Sequence, residues 1–244
     1  MMNSLSPPLV ILMETRVTDQ FAFILHRRDW QNSSLILDLL TRDYGRISLL
    51  AKGGKRSKSL ALFQPFYQLA ISWSGRSELK TLTAVDGVAV PVGEDQYLPM
   101  LYINELIIAF LPVQESSPEL FELYRDLLYS ADRNFSEKYL REFEYSFMRL
   151  LGYLPDIGVE AHSGEIIDEG RFYQFIASSG FVVCNEGEQN AIKGELIIDW
   201  NQGRYENRQV LQLAKTVMRC IIDFNLHGKR LKSRDVYLQI KGLT

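Results

Sequence analysis

The sequence predicts an α+β fold, a small closed β-barrel at the N-terminus followed by a mainly α-helical domain. Three observations carry that expectation. The first 80 to 90 residues break into short apolar segments separated by turn residues. From about residue 95 the apolar residues recur at helical spacing instead. The charge also changes along the chain, from a basic start to an acidic middle.

The strands come first. Segments 21–26 (FAFILH), 34–41 (SLILDLLT) and 46–52 (RISLLAK) are apolar-rich with little helical periodicity, and RDYG and KGGKRSKS punctuate them. Segments 66–74 (FYQLAISWS) and 79–90 follow, separated by GRSE. In the last of these Leu79, Thr81, Thr83 and Val85 alternate with Lys80, Leu82, Ala84 and Asp86. Five short strands with regular turns suit a small closed barrel, because closure removes exposed sheet edges.

The helices come next. Residues 95–111 place Tyr97, Leu101, Ile103, Leu106, Ile107 and Phe110 at near-helical spacing, and Pro112 ends the run. In SSPELFELYRDLLYSA, Ser117 suits an N-cap, Pro118 takes the first helical position, and Leu120, Tyr124, Leu127 and Leu128 form an apolar face. In FSEKYLREFEYSFMRLLGYLP, Leu140, Phe143, Phe147, Leu150 and Leu151 share one stripe that stops at Gly152. These three amphipathic helices should pack together. Residues 153–205 are less regular, and FYQFIAS, GFVVCN and ELIIDW read as short strands or mixed structure. Helical spacing returns over 207–224 with Val210, Leu213, Ala214, Val217 and Ile221. It breaks at Gly228, and a last short helix is expected after Ser233. The expected division is a barrel domain over 1–90 and a mainly helical domain over 91–244, with a small irregular subdomain at about 153–205.

A chain of 244 residues can bury a sizeable core in one or two domains. Its 46% hydrophobic and 23% charged content is ordinary for a globular protein and argues against global disorder. The longest apolar runs, 9–13 and 106–113, fall short of the roughly 18 residues a membrane span needs. The N-terminus has no basic n-region of a signal peptide. Cys184 and Cys220 stand far apart in no CxxC pair, which fits a reducing compartment. Together these features point to a cytoplasmic protein.

Residues 1–80 hold 11 Lys and Arg against 6 Asp and Glu, residues 81–206 hold 8 against 22, and residues 207–244 hold 8 against 2. Such asymmetry suggests a polyanion at the basic segments; the alternative is that acids and bases pair across the folded surface. Catalytic motifs are missing. His26, His162 and His227 are scattered and the cysteines isolated, so metal-ligand spacing is absent. GGKRSKS lacks the spacing of a phosphate loop, and no GxSxG, HExxH or GxGxxG occurs. The adjacency of His162 and Ser163 means little without a positioned base and orienter.

Binding remains. Phosphate backbones are held by Lys and Arg, and single strands also by aromatic platforms. The barrel segment interleaves Arg27, Arg28, Trp30, Arg42, Tyr44, Arg46, the cluster Lys52, Lys55, Arg56 and Lys58, then Phe63, Phe66, Trp73 and Arg76. Phe66 and Trp73 read more readily as core than as platforms. The Gly53-Gly54 pair would let backbone N–H groups approach a phosphate closely. Lys229, Arg230, Lys232 and Arg234 form a second basic cluster.

In order along the chain, AFILHRRDWQNSSLILDLLTRDYGRISLLAKGGKRSKS, FQPFYQL, LKTL, LYINEL, LREFEYSFMRLLGY and GKRLKSRDVY resemble the RecO recombination-mediator family from about Phe21 to Tyr237. The resemblance implies an N-terminal OB-fold barrel and a largely helical C-terminal domain. It implies binding of single- and double-stranded DNA, annealing of complementary single strands, and loading of RecA onto strands coated by single-stranded-DNA-binding protein. It also implies partnership with RecR, no enzymatic activity, no cofactor, no membrane, and an association with the bacterial nucleoid. The implied DNA contacts fall on the basic residues named above. The match of LREFE places the carboxylate-binding arginine for the acidic, aromatic-ending tail of single-stranded-DNA-binding protein at Arg141, with Leu140, Phe143 and Phe147 as the apolar pocket. Arg141 lies about 200° around the helix from Phe143 at 100° per residue and should point away from the core stripe, free to pair.

Two departures from the family stand out. Many members carry a four-cysteine zinc module near 153–184, where this chain has only Cys184, so zinc should be absent. Residues 1–12 extend beyond the usual start; Met13 is an alternative start, or the extension is a flexible tail or an added edge strand. An OB-fold RNA-binding protein and a protein-only adaptor that recognises acidic peptides remain as alternatives, since the groove physics is shared.

Overall fold

The computed structural model describes residues 16–130, 135–240 and 242. The extension over residues 1–12 lies outside them. Five strands, β1 (Arg16–Trp30), β2 (Ser34–Thr41), β3 (Gly45–Ala51), β4 (Tyr67–Ser74) and β5 (Leu79–Ala89), pair in the order β1-β2-β3-β5-β4 and close on β1. All neighbours are antiparallel except β3 and β5, which meet in parallel at Ser48–Leu79 through Leu50–Thr81. This is the five-stranded OB-like architecture. Leu35, Leu37 and Leu39 pair with Ala51, Leu49 and Ile47 of the neighbouring strand and line the barrel interior beside them, joined there by Ile24, Ile71 and Trp73.

Two bulges decide where the faces point. On β1 the register skips from Ile24–Leu39 to His26–Asp38, so Leu25 is the extra residue. Ordinary alternation sends Ala22 and Ile24 into the barrel and Phe23 and Leu25 outward into the core of the helical part, so four consecutive residues are buried because both faces of the strand are covered. Past the bulge the alternation is reset, and His26 follows Leu25 on the outward face opposite Asp38. On β5 the register skips Thr83, so both Leu82 and Val85 pack on the barrel core, and the alternation expected over 79–86 breaks there.

The helical part comprises α1 (Glu94–Phe110), α2 (Pro118–Ser130), α3 (Glu137–Leu150), β6 (Phe172–Ile176), β7 (Gly180–Cys184), β8 (Ile192–Lys193), α4 (Gly194–Asn201), α5 (Arg208–Asn225) and α6 (Lys232–Ile240). The caps follow the sequence chemistry. Ser117 Oγ accepts from Leu120 N–H at 3.4 Å, and Asn207 Oδ1 accepts from Gln209 N–H at 2.8 Å. Gly152, just past α3, has φ 75°, which favours glycine.

Two expectations need correction. ELIIDW forms helix α4, not a strand: Ile197 and Trp200, three apart, are its buried apolar side chains. On α3 the buried arc runs through Phe143, Phe147, Glu144, Met148 and Arg141, while Leu150 is exposed. The arc spans roughly 160° at 100° per residue and is rotated towards Arg141 relative to the apolar stripe.

The barrel and the helices share one core. Phe23, Leu25, Leu40, Phe66 and Val90 join the helical side chains, and the Phe23 ring lies 5.2 Å from both Phe121 and Tyr124. Asn104 on α1 seals the seam. Its Nδ2 donates to the bulged Leu25 carbonyl at 3.1 Å, and its Oδ1 accepts from the Tyr124 hydroxyl at 2.6 Å. Burial pushes the Tyr124 phenol well above its ordinary pKa. Gly45 sets a second contact: with φ 62°, a Cβ there would lie 1.8 Å from the Glu115 carbonyl oxygen.

Candidate nucleic-acid interface

The barrel's basic residues divide between its two ends. One group gathers where β1 and β2 turn. Lys55 N–H donates to Ser33 carbonyl at 2.9 Å, its Nζ donates to Gln31 carbonyl at 3.2 Å, and the same nitrogen pairs with Asp29 at 2.9 Å. These bonds tie the loop of residues 52–58 to the β1–β2 turn. Arg27 Nη1 donates to Phe63 carbonyl at 3.2 Å, so residues 52–63 close this end of the barrel. Lys52, Arg56 and Lys58 are left exposed, with no ion-pair partner among the described residues, and Arg28 is exposed beside them. Gly53, at φ 67°, precedes the single turn Gly54–Arg56 that turns this loop outward.

Sequence reasoning treated all four loop charges alike. The structure separates Lys55, which braces the loop, from the three that face solvent.

The other group sits against the helical part. Arg42 Nε pairs with Glu122 at 3.3 Å, and Arg46 Nε donates to Leu111 carbonyl at 2.8 Å. Burial pushes the Arg46 guanidinium pKa down, with Asp38 opposing it. Arg46 is thus engaged in the seam rather than presented to a ligand. Arg76 is exposed in the turn that enters β5 opposite Ser48, away from the 52–58 loop. Among the aromatic candidates, Phe63, Phe66 and Trp73 are buried, and Tyr44 packs edge-on against Trp73 at 5.1 Å. Trp30 stays exposed.

Asp38, between these groups, lies within 3.7 Å of His26 and accepts from Ser48 Oγ at 2.6 Å. Burial opposes its ionisation, yet the bonds from His26 and Ser48 and the charge of Arg28 outweigh it and hold the carboxyl below its ordinary pKa.

A cavity of about 370 Å³ opens between α1, α3, α5 and α6. Leu98, Phe135, Leu140 and Leu238 give it apolar walls, and Arg141, Lys215, Arg219 and Arg234 give it cations. Arg141 departs from expectation. Its side chain is only 9% exposed, and its Nη1 donates to Glu144 Oε2 at 2.6 Å, so it is not free. Its buried Nε nevertheless has no hydrogen-bond partner among the described residues and lies 3.9 Å from Glu137. Phe143 and Phe147 stack in the core at 5.7 Å and do not line the cavity, which corrects their assignment to the pocket; Leu140 does line it.

Sequence reasoning did not find Tyr102, whose hydroxyl donates to Glu144 at 2.6 Å and whose ring lies under the Arg234 guanidinium at 5.5 Å. Arg234 also pairs with Asp223. It therefore turns towards the cavity, while Lys229, Arg230 and Lys232 remain exposed on the approach to α6. Three acids answer the four cations: Glu137 pairs with Lys215 at 2.9 Å, Glu144 with Arg141, and Asp223 with both Arg234 and Arg219, the latter at 3.7 Å, which leaves a modest cationic excess.

His162 and Ser163 have a plain explanation: their backbone N–H groups donate to the Glu160 carboxylate in a turn. Cys184 lies half-buried on β7, and among the described residues no cluster of three His, Cys, Asp or Glu could hold a metal. No described helix is long and apolar enough to cross a membrane.

Comparison with known proteins follows the same division. The family model described as recombination protein O N terminal matches residues 13–90, and that described as recombination protein O C terminal matches residues 95–235. A DNA repair protein RecO of Methylococcus capsulatus is 37% identical over 228 residues, 91% of this chain and 94% of that protein. One from Mannheimia succiniciproducens is 35% identical over 222 residues, 88% of this chain and 97% of its own length. One from Cupriavidus metallidurans is 31% identical over 238 residues, 94% of this chain and 80% of its own length.

Proposed function

The chain belongs to the recombination protein O family, and from that premise we propose that it is a non-enzymatic DNA-binding mediator of recombinational repair. In this reading the barrel end bearing Arg28, Lys52, Arg56 and Lys58 meets the phosphate backbone. The exposed Lys229, Arg230 and Lys232 extend the contact to the helical part. The observation that carries the reading is the loop: three exposed cations without acid partners among the described residues are held on a braced turn, in a chain whose net charge is −3. Unpaired cations on a fixed surface favour a polyanion, because each phosphate contact releases condensed counterions. Annealing follows if two complementary strands are held with their charge neutralised.

The cavity between α1, α3, α5 and α6 serves, in the same reading, as the dock for the acidic, aromatic-ending tail of single-stranded-DNA-binding protein. Apolar walls suit the ring, and the Arg141 Nε, without a hydrogen-bond partner among the described residues, suits a carboxylate; Lys215 and Arg219, now paired with Glu137 and Asp223, would exchange those partners for the tail's acids. Recruitment of RecR and delivery of RecA to the coated strand complete the proposed role. The decisive experiment measures annealing of complementary oligonucleotides, bare and coated with cognate single-stranded-DNA-binding protein. Annealing of both is expected. Salt-dependent binding to RNA in preference to DNA, without annealing, would favour the RNA-binding alternative, and no nucleic-acid binding would favour the adaptor.

A further inference from the structure

We propose that Trp30 is a stacking platform for one unpaired nucleobase, which would make this end of the barrel selective for single strands. The inference rests on the DNA-binding reading above and deepens it.

Trp30 closes β1 opposite Ser34 and is 41% exposed, whereas Trp73 and Trp200 are each 1% exposed. The register fixes the surface around it. Because Leu35 and Leu37 point into the barrel, Ser34 and Ile36 point out, and with them their partners Trp30 and Arg28. On the far side of β2, Ile36 faces Leu50, and Lys52 follows Ala51, the partner of Leu35. Trp30 and Lys52 thus flank the small Ser34 on one face, two strand spacings or roughly 10 Å apart. Ile36, in neither core cluster yet 2% exposed, is the covered apolar floor beside them.

The backbone that carries the indole is also held in place. The turn after it, with Gln31 at φ 52°, is tied down by Lys55 through Ser33 carbonyl, Gln31 carbonyl and Asp29. An aromatic side chain on a braced backbone loses less freedom when a base stacks on it than one on a loose loop. Asp29, the nearest acid on this strand, is neutralised by Lys55 and belongs to the opposite face of β1. Arg28 shares this face of β1, and the exposed Lys52, Arg56 and Lys58 belong to the loop that Lys55 ties to the same turn. A flat π-surface ringed by phosphate-binding cations suits a base with its backbone, and stacking requires that the base be unpaired.

The burial of the other two tryptophans gives a direct test. Fluorescein-labelled oligothymidylate reports binding by anisotropy, while intrinsic tryptophan emission reports the platform. Emission should be quenched as the single strand saturates the full chain, and Trp30→Phe should bind with similar affinity but lose the quenching. Trp30→Ala should weaken single-strand binding about fivefold to a hundredfold and change duplex binding less than twofold. Saturation by anisotropy with unchanged emission overturns the platform and leaves DNA binding standing. Equal losses for single strand and duplex in Trp30→Ala also overturn it. Absence of any anisotropy change overturns the reading on which it rests.

Discussion

The Arg141 guanidinium donates to Glu144 at 2.6 Å across one turn of α3, and the carboxylate it meets is wholly buried. The Tyr102 hydroxyl donates to the same carboxylate at 2.6 Å, and Arg141 reaches from there to the wall of the cationic cavity. The pair therefore sets the position of the arginine that the proposed tail dock depends on.

Breaking this pair should be costly in a graded way. Glu144→Ala strands Arg141 without its partner and should cost about 3–5 kcal/mol. Glu144→Gln, which keeps an acceptor for Tyr102, should cost less. Burial raises the Glu144 carboxyl pKa above its ordinary 4.5, and the charge of Arg141 only partly opposes the rise. A raised folded-state pKa means stability that is fully present below pH 4.5 and lost as pH climbs through the raised value. Wild-type melting temperature should therefore fall relative to Glu144→Gln as pH rises from 4.5. Thermal melts of both proteins across that range check the sign.

The Asn104 seam predicts coupling between the side chains of α1 and α2 that meet β1. Asn104→Ala leaves the Leu25 carbonyl and the Tyr124 hydroxyl unpaired in the core, at roughly 1–3 kcal/mol for each orphaned group. Tyr124→Phe orphans only Asn104 Oδ1 and should cost less. Urea unfolding of both single variants and the double variant should give a non-additive cycle. Full additivity would mean the two side chains act separately.

Glu105 should control α6. Its carboxylate accepts from Lys232 N–H at 2.8 Å, from Ser233 N–H at 2.9 Å and from Ser233 Oγ at 2.6 Å, capping that helix from α1. Glu105→Ala should destabilise the protein by about 0.5–2 kcal/mol. Amide exchange should rise over residues 232–238 while the barrel amides stay protected. Because α6 forms one wall of the cavity, tail-peptide affinity should fall with it.

The loop charges should differ in kind. Changing Lys52, Arg56 and Lys58 to alanine together should shrink the slope of log K against log salt for single strands by about 0.7 per residue, about 2 in all. Lys55→Ala should leave that slope nearly unchanged and loosen the turn instead. Binding isotherms at four or five salt concentrations separate the two outcomes, and an unchanged slope in the triple variant would falsify the phosphate-contact role.

The sequence by itself determined the family and the order of the elements outside residues 153–205, where ELIIDW proved to be a helix. Alternating apolar strands, the Ser117–Pro118 helix start and the Gly152 stop are local, since caps, turns and periodicity act within a few residues. The segment YINEL was legible as helix, through Ile103 and Leu106, and as a family signature, but not for its polar contacts. The structure gives its residues their work: Tyr102 holds Glu144, Asn104 holds Leu25, and Glu105 caps α6. Those partners lie 42 to 128 residues away, and no local rule pairs them. The same limit explains the misplaced charges. Arg141, Arg46 and Lys55 look like any other basic residue in a list. Whether a cation faces solvent, a carbonyl or a buried acid depends on what the packed elements bring against it. The bulges at Leu25 and Thr83 exchange inside and outside by inserting one residue, and only the closed barrel, by fixing both neighbours of each strand, decides where that residue goes.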